Sequence, residues 1–294
     1  MTQVRYPDDK RLLVEKALQD FFPPKDNYPE LIYKAMRHSL ISGGKRFRPV
    51  LTLLVAETIG NELIDVMPTA CAIECVHTYS LIHDDLPIID DDEMRRGKPT
   101  CHVLFGEDIA VLAGDALFAE AFYLIANKQV VDDPAKIVKV VDELSNASGP
   151  KGMVGGQVLD IISAGKKVNL DTLKFIHSHK TGMLISASCR IGAILGGASK
   201  EELTAFSNYA EHLGLAFQVT DDILDVVGEE ISLGKKPGSD ERMQKATYPS
   251  ILGLKRSKEI AEEAVKNAKI ALQDVKKDTS SLANLADFVY CRNK

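Results

Sequence analysis

Between residues 84 and 93 the chain carries six carboxylates, Asp84, Asp85, Asp90, Asp91, Asp92 and Glu93, and Arg95 and Arg96 follow closely. Like charges this dense repel one another, so they either stand in solvent or hold a hard cation. A second cluster, Q-V-T-D-D-I-L-D from Gln218 to Asp225, repeats the arrangement far downstream. One acidic run alone is equally well explained as a solvated surface. Two such runs make the case for function.

Spacing indicates how the clusters could cooperate. Asp221 and Asp225 are four apart and share a helix face, with Gln218 three residues before Asp221. His77 and Asp84, seven apart, also share a face, and Asp90 joins them only if Pro87 breaks the helix and the chain turns back. Oxygen-only donors without thiolate suit Mg²⁺, which keeps waters and bridges one or two carboxylates to substrate phosphates. A phosphorylated ligand is therefore expected.

Basic positions suited to such a ligand are present. Gly43-Gly44-Lys45-Arg46-Phe47-Arg48 reads as a flexible turn into a helix start, where backbone N–H groups and the helix dipole favour anions. Arg95 and Arg96 can make forked contacts to phosphate, and Lys180-Thr181 and Lys235 add further groups. Singly, each has a plainer explanation: a solvated Lys/Arg pair, or a core histidine at His77. Glu74 to His77 matches half of a di-iron E-x-x-H site, but the other six histidines supply no second half.

The elements that must position these groups are helical. A first helix, capped by Asp8 or Asp9, ends at Phe21-Phe22-Pro23-Pro24; a second has Pro29 in its first turn and stops at Gly43-Gly44. Pro49 starts a third, closed by Gly60. The fourth, Val66 to Asp85, is apolar on nearly all sides and so belongs at the centre. Further helices are expected over 108–128, 134–148, 170–195 with a break near Thr181-Gly182, and 201–227, with an outer amphipathic helix from Arg256 to Val275. No segment alternates convincingly with period two. The expected architecture is all-α, a single-domain bundle over residues 1–294. The long piece from Gly228 to Tyr248, which carries Lys235 and Lys236, is expected to be a mobile lid.

Composition narrows the function classes. A net charge of −6 argues against nucleic acid as a constitutive partner. The polar start of the chain suggests no secretory signal, and no uncharged apolar run reaches membrane-spanning length. The five cysteines (Cys71, Cys75, Cys101, Cys189, Cys291) are odd in number and form no C-x-x-C pair, which suits buried thiols in a reducing, cytoplasmic compartment.

Taken together, these motifs resemble the trans-isoprenyl diphosphate synthases over nearly the whole chain. They occur in order: G-G-K-R-F-R-P at 43–49, H-D-D-L-P-I-I-D-D-D at 83–92, R-R-G-K-P-T at 95–100, G-G-Q at 155–157, K-T-G at 180–182, F-Q-V-T-D-D-I-L-D at 217–225, and the stretch around Lys235. The four residues between Asp85 and Asp90 match the longer spacing of the bacterial type. The resemblance implies an isoprenoid-synthase bundle around a deep central cavity. It also implies Mg²⁺, two or three ions, on an allylic diphosphate at Asp84 and Asp90, helped by Asp85 and by the second cluster, Asp221, Asp222 and Asp225. Arg95, Lys180, Thr181, Gln218 and Lys235 would hold the allylic substrate, and Lys45, Arg48, His77 and Arg96 isopentenyl diphosphate.

The implied reaction is ionisation of dimethylallyl or geranyl diphosphate, attack by the double bond of isopentenyl diphosphate, and loss of a proton, with no protein nucleophile. The released diphosphate is the base that the resemblance suggests. A homodimer is implied as well. Tyr79 lies five residues before Asp84, so ~7.5 Å deeper along the axis at 1.5 Å per residue. With Ser80 beside it and the Pro87-Ile88 insertion, it is expected to floor the pocket at a fifteen-carbon product, farnesyl diphosphate. A twenty-carbon product is the alternative within the class. A terpene cyclase is disfavoured by D-D-I-L-D, a silent subunit by the presence of both acidic motifs, and a noncatalytic Mg²⁺ module by the separate basic positions.

Overall fold

The computed structural model describes residues 4–24, 28–227 and 245–291. The architecture is all-α, as expected. Helix α1 (Asp8–Phe21) starts after Pro7, so Asp8 and Asp9 lie in its first turn, where they complement the helix dipole rather than cap it. α2 (Glu30–Leu40) starts one residue past Pro29, and α3 (Phe47–Ile59) starts two residues before Pro49, which its first turn tolerates. α4 (Leu63–Asp84) is the central helix, with Ile73, Cys75 and Val76 fully buried.

A two-stranded hairpin follows, β1 (Met94–Arg95) antiparallel to β2 (Lys98–Pro99), with Arg96 and Gly97 at positive φ in its turn. Strands of two residues are too short to show alternation, which is why the sequence pattern does not reveal them. α5 (Cys101–Phe105) and α6 (Glu107–Asn127) come next. Among the described residues α6 is the one helix long and apolar enough to cross a membrane by length and composition. Here Ala113, Leu117, Ala121 and Ile125 bury one face of it in the core beside α4.

α7 (Pro134–Ser148) is capped by the Asp133 carboxylate, which accepts from the Ala135 N–H at 2.9 Å. α8 (Met153–Ser163) was not anticipated; its first turns hold Gly155 and Gly156 and no side chain caps it, so local signals for a helix are weak. α9 (Leu170–His177) runs through a π-helical turn, Ser178–Gly182, into α10 (Met183–Gly196). The expected break at Thr181-Gly182 is thus a widened turn within a continuous helix. α11 (Lys200–Val227) is the longest described helix, and α12 (Tyr248–Leu252), α13 (Leu254–Ala271) and α14 (Ser280–Cys291) complete the bundle. Neither α12 nor α14 was anticipated. Most of the expected lid, with Lys235 and Lys236, lies outside the described residues.

Two large apolar clusters hold the bundle together. One is built on α4 and α6, around Ile73, Val76, Leu117 and Ile125; the other joins α3, α10, α11, α13 and α14, around Leu51, Ile185, Phe206 and Leu285. α3 and α10 pack against each other between them. The C-terminal ends of α4 and α11, which carry the acidic motifs, face a common cavity.

Candidate active site

That cavity has a volume of about 520 Å³ and is lined by Asp84 from α4 and Asp221 from α11. The two acidic motifs therefore meet across one space. On an α-helix, adjacent Cβ atoms point about 100° apart, and here the two carboxylates of each D-D doublet take different surroundings. Each doublet divides accordingly.

In the first, Asp85 is buried and turned away, and accepts from Arg95: Nε donates to both carboxylate oxygens at 2.8 and 2.9 Å and Nη2 donates to Oδ1. This forked ion pair holds Arg95 in the cavity lining. In the second, Asp222 is 1% exposed and does not line the cavity. Its Oδ2 accepts from the Tyr248 backbone N–H at 2.8 Å, and its Oδ1 from the Gln218 amide at 3.0 Å. Gln218 Oε1 in turn accepts from the Thr181 hydroxyl at 2.7 Å, so one chain of bonds runs from α12 through α11 to the π-helical turn. Asp225 is likewise buried, away from the cavity lining.

Past Pro87 the chain does turn back: the Asp90 N–H donates to the Asp84 carbonyl at 2.9 Å. The Asp90 carboxylate accepts from Lys245 at 2.9 Å. Lys245 also lies 3.7 Å from Asp160, which accepts from Lys180 at 2.7 Å. Burial opposes both partners of the latter pair, yet Asp84 and Asp160 raise the Lys180 pKa, and Lys180 and Lys245 hold that of Asp160 below its ordinary value. Asp160 and Lys245 are site residues that motif spacing did not single out. The only signal for Asp160 was its place three residues after Gln157 on one helix face.

Gln157, of the G-G-Q motif, donates to Asp84 Oδ1 at 2.8 Å. The glycine before it has a packing reason: a Cβ on Gly156 would lie 2.2 Å from the Lys180 backbone N, so α8 reaches the π-helical turn only without one. Gly44 has a different reason: its φ of +122° strains any residue with a Cβ, and the guanidinium of Arg96, whose Nη1 donates to the Gly43 carbonyl, lies against it.

The basic wall is formed by Arg48, His77 and Arg96, all lining the cavity. Burial lowers the Arg48 pKa to about 10, against the pull of Glu74 and Asp221. Burial first, then Arg48 and its neighbouring arginines, keep the His77 imidazole well below its ordinary pKa and so neutral at pH 7. Lys45 is exposed, its ammonium 5.8 Å from the Phe288 ring centroid, and is not part of the cavity lining. Tyr79 and Ser80 do line it, and the Tyr79 ring packs edge-on against Phe118 at 5.0 Å, with Phe122 behind. Met153, Val154 and Val158 of α8 contribute apolar wall.

The residues fit a divalent cation shared with a ligand. Among the described residues no three acidic, histidine or cysteine side chains cluster closely enough to hold a metal by themselves. Instead Asp84 and Asp221 stand on separate walls. Burial raises the Asp84 pKa to about 6, with Asp90 adding to it and Lys180 opposing, so a neighbouring cation would favour its ionised form. Oxygen donors on two sides and arginine and lysine between them suit a metal-bound polyphosphate.

The family model for polyprenyl synthetases matches residues 29–283. The chain is 45% identical over 285 residues to farnesyl diphosphate synthase of Escherichia coli (strain K12), covering 95% of each. It is 46% identical over 290 residues to geranylgeranyl diphosphate synthase of Cyanophora paradoxa, covering 98% of this chain and 96% of that one. A solved geranyltransferase of Helicobacter pylori, complexed with magnesium and isoprenyl diphosphate, superposes with a TM-score of 0.85 at 34% identity, covering 96% and 94% of the two chains. The all-α fold is shared with that geranyltransferase, and the family match makes the chain a prenyltransferase. The chain belongs to the polyprenyl synthetase family.

Proposed function

We propose that the protein is a (2E,6E)-farnesyl diphosphate synthase of the bacterial type, a geranyltranstransferase adding isopentenyl diphosphate first to dimethylallyl and then to geranyl diphosphate. The observation that carries this reading is the placing of Asp84 and Asp221 on one cavity that also carries Arg48, Arg95, Arg96 and Lys180, an apolar wall and the Tyr79 ring. Arg95 and Lys180 hold the allylic diphosphate and stabilise its charge as it leaves. Magnesium, when bound through Asp84, Asp90 and Asp221, supplies Lewis-acid stabilisation of that leaving group. Arg48, His77 and Arg96 orient isopentenyl diphosphate so that its double bond faces the allylic carbon. Tyr79, Met153, Val154 and Val158 keep water from the allylic cation. Loss of a proton to the released diphosphate restores the alkene. Lys45 and Lys235 are retained as substrate contacts on the family pattern alone.

The second reading is a twenty-carbon product, favoured by the close likeness to a geranylgeranyl diphosphate synthase. Against it stands the ring of Tyr79 at the cavity floor, backed by Phe118. We further propose a homodimer, one domain over residues 1–294, and a cytoplasmic location, the last supported by five free cysteines. Radiolabelled isopentenyl diphosphate with dimethylallyl or geranyl diphosphate, with and without Mg²⁺, tests the assignment. Chromatography is expected to show a fifteen-carbon product that a chelator abolishes. A twenty-carbon product would establish the second reading, and no condensation would refute both.

A further inference from the structure

One strongly buried charged group has no part in the chemistry above. Arg46 stands between Lys45 and Arg48 at the N-cap of α3, in left-handed backbone geometry (φ 51°, ψ 40°) that L-residues rarely adopt. Its side chain is 0% exposed. Nε donates to Glu15 of α1 at 2.8 Å, Nη1 to Glu74 of α4 at 2.6 Å, and Nη2 to the carbonyl of Leu40, the last residue of α2, at 2.7 Å. One guanidinium thus ties three helices to the start of a fourth.

What it ties down is the turn that builds the basic wall. Arg96 bonds to Gly43 and packs on Gly44, and Arg48 follows two residues after Arg46. Nε of Arg48 is buried without a hydrogen-bond partner, and so is the second carboxylate oxygen of Glu74. The wall is therefore crowded with cations that their own hydrogen bonds do not fully fix. A shift of the turn would move Arg48 and Arg96 together.

We propose that Arg46 is a positioning residue for isopentenyl diphosphate: the Glu15–Arg46–Glu74 clamp holds the strained 43–46 turn, and through it sets Arg48 and Arg96 in register for one diphosphate. This rests on the assignment of that wall to isopentenyl diphosphate. The allylic half, Arg95 on Asp85 and Lys180 on Asp160, is braced by separate elements, so the clamp acts on one substrate only.

The test is steady-state kinetics on Arg46→Lys and Glu15→Gln, with isopentenyl diphosphate and geranyl diphosphate varied in turn, and Arg48→Ala as the reference. Lysine keeps the charge but loses the fork that reaches three partners. Glu15 lies at the rim of the clamp, 16% exposed, so its variant keeps the fold even if Arg46→Lys does not. The expected result in either variant is a KM for isopentenyl diphosphate raised about tenfold, with kcat and the geranyl diphosphate KM within about twofold, as loss of fixed orientation at one ligand predicts. Equal rises in both KM values, a fall in kcat alone, or no change would overturn the clamp's role. If Arg48→Ala leaves the isopentenyl diphosphate KM unchanged, the wall itself is misassigned and the proposal falls with it. A raised KM in Arg48→Ala beside unchanged clamp variants would refute the clamp alone.

Discussion

The two acidic doublets look alike in sequence and are used alike, but they are anchored differently. Asp84-Asp85 sits where α4 ends, and Asp221-Asp222 lies within α11, a turn and a half before its last residue. In both, the first aspartate lines the cavity and the second turns from it. Asp85 grips a side-chain cation delivered by the hairpin, whereas Asp222 grips a backbone N–H and a side-chain amide. Each doublet here thus supplies one cavity-lining carboxylate and one that braces a neighbour.

That division predicts graded losses. Asp84→Ala and Asp221→Ala are expected to cut kcat by about two to three orders of magnitude, the range for removing a main stabiliser of transition-state charge, with unchanged circular dichroism. Turnover near the wild-type rate in either would break the comparison on its cavity side. Asp85→Ala frees Arg95 without removing it, so the allylic KM should rise roughly tenfold, the effect of one lost charge-assisted bond. An unchanged allylic KM would show that Arg95 needs no brace.

Asp222→Ala leaves the Tyr248 N–H and the Gln218 amide without their acceptor, and should cost about 1–3 kcal/mol of stability, read as a lowered Tm, with a smaller loss of rate than Asp221→Ala. A loss of rate equal to that of Asp221→Ala, with Tm intact, would make Asp222 a second ligand. The smallest expected effect on rate comes from Tyr79. Five residues before Asp84 stands this cavity-lining ring, but five before Asp221 stands Ala216, fully buried in the core. Under the proposed function depth is set by Tyr79 on the α4 side, and Tyr79→Ala should lengthen the product toward twenty carbons with turnover within about threefold. Identical product lengths on chromatography would remove the floor.

Much of this was legible in the chain because it is local. Helical period, Pro87 as a breaker and the acidic and basic motifs depend on residues within a few turns of one another. The choice between Asp84 and Asp85, or Asp221 and Asp222, was not legible: it depends on how each helix is rotated against its neighbours. Asp160 and Lys245 escaped for a related reason, since their partners lie 20 and 155 residues away in sequence. In sequence Arg46 is one basic residue of an anion-favouring turn, and its burial depends on Glu15, Leu40 and Glu74, which other helices bring to it. Lys235 and most of the expected lid lie outside the described residues.

The most direct test of the facing carboxylates is turnover of the Asp84→Ala/Asp221→Ala double variant beside the two single ones. If both aspartates grip the same metal-bound diphosphate they act as a unit, and the double variant is predicted to be no slower than the worse single one. Losses that multiply, so that the double variant falls by the product of the two, would mean that the aspartates work on separate things.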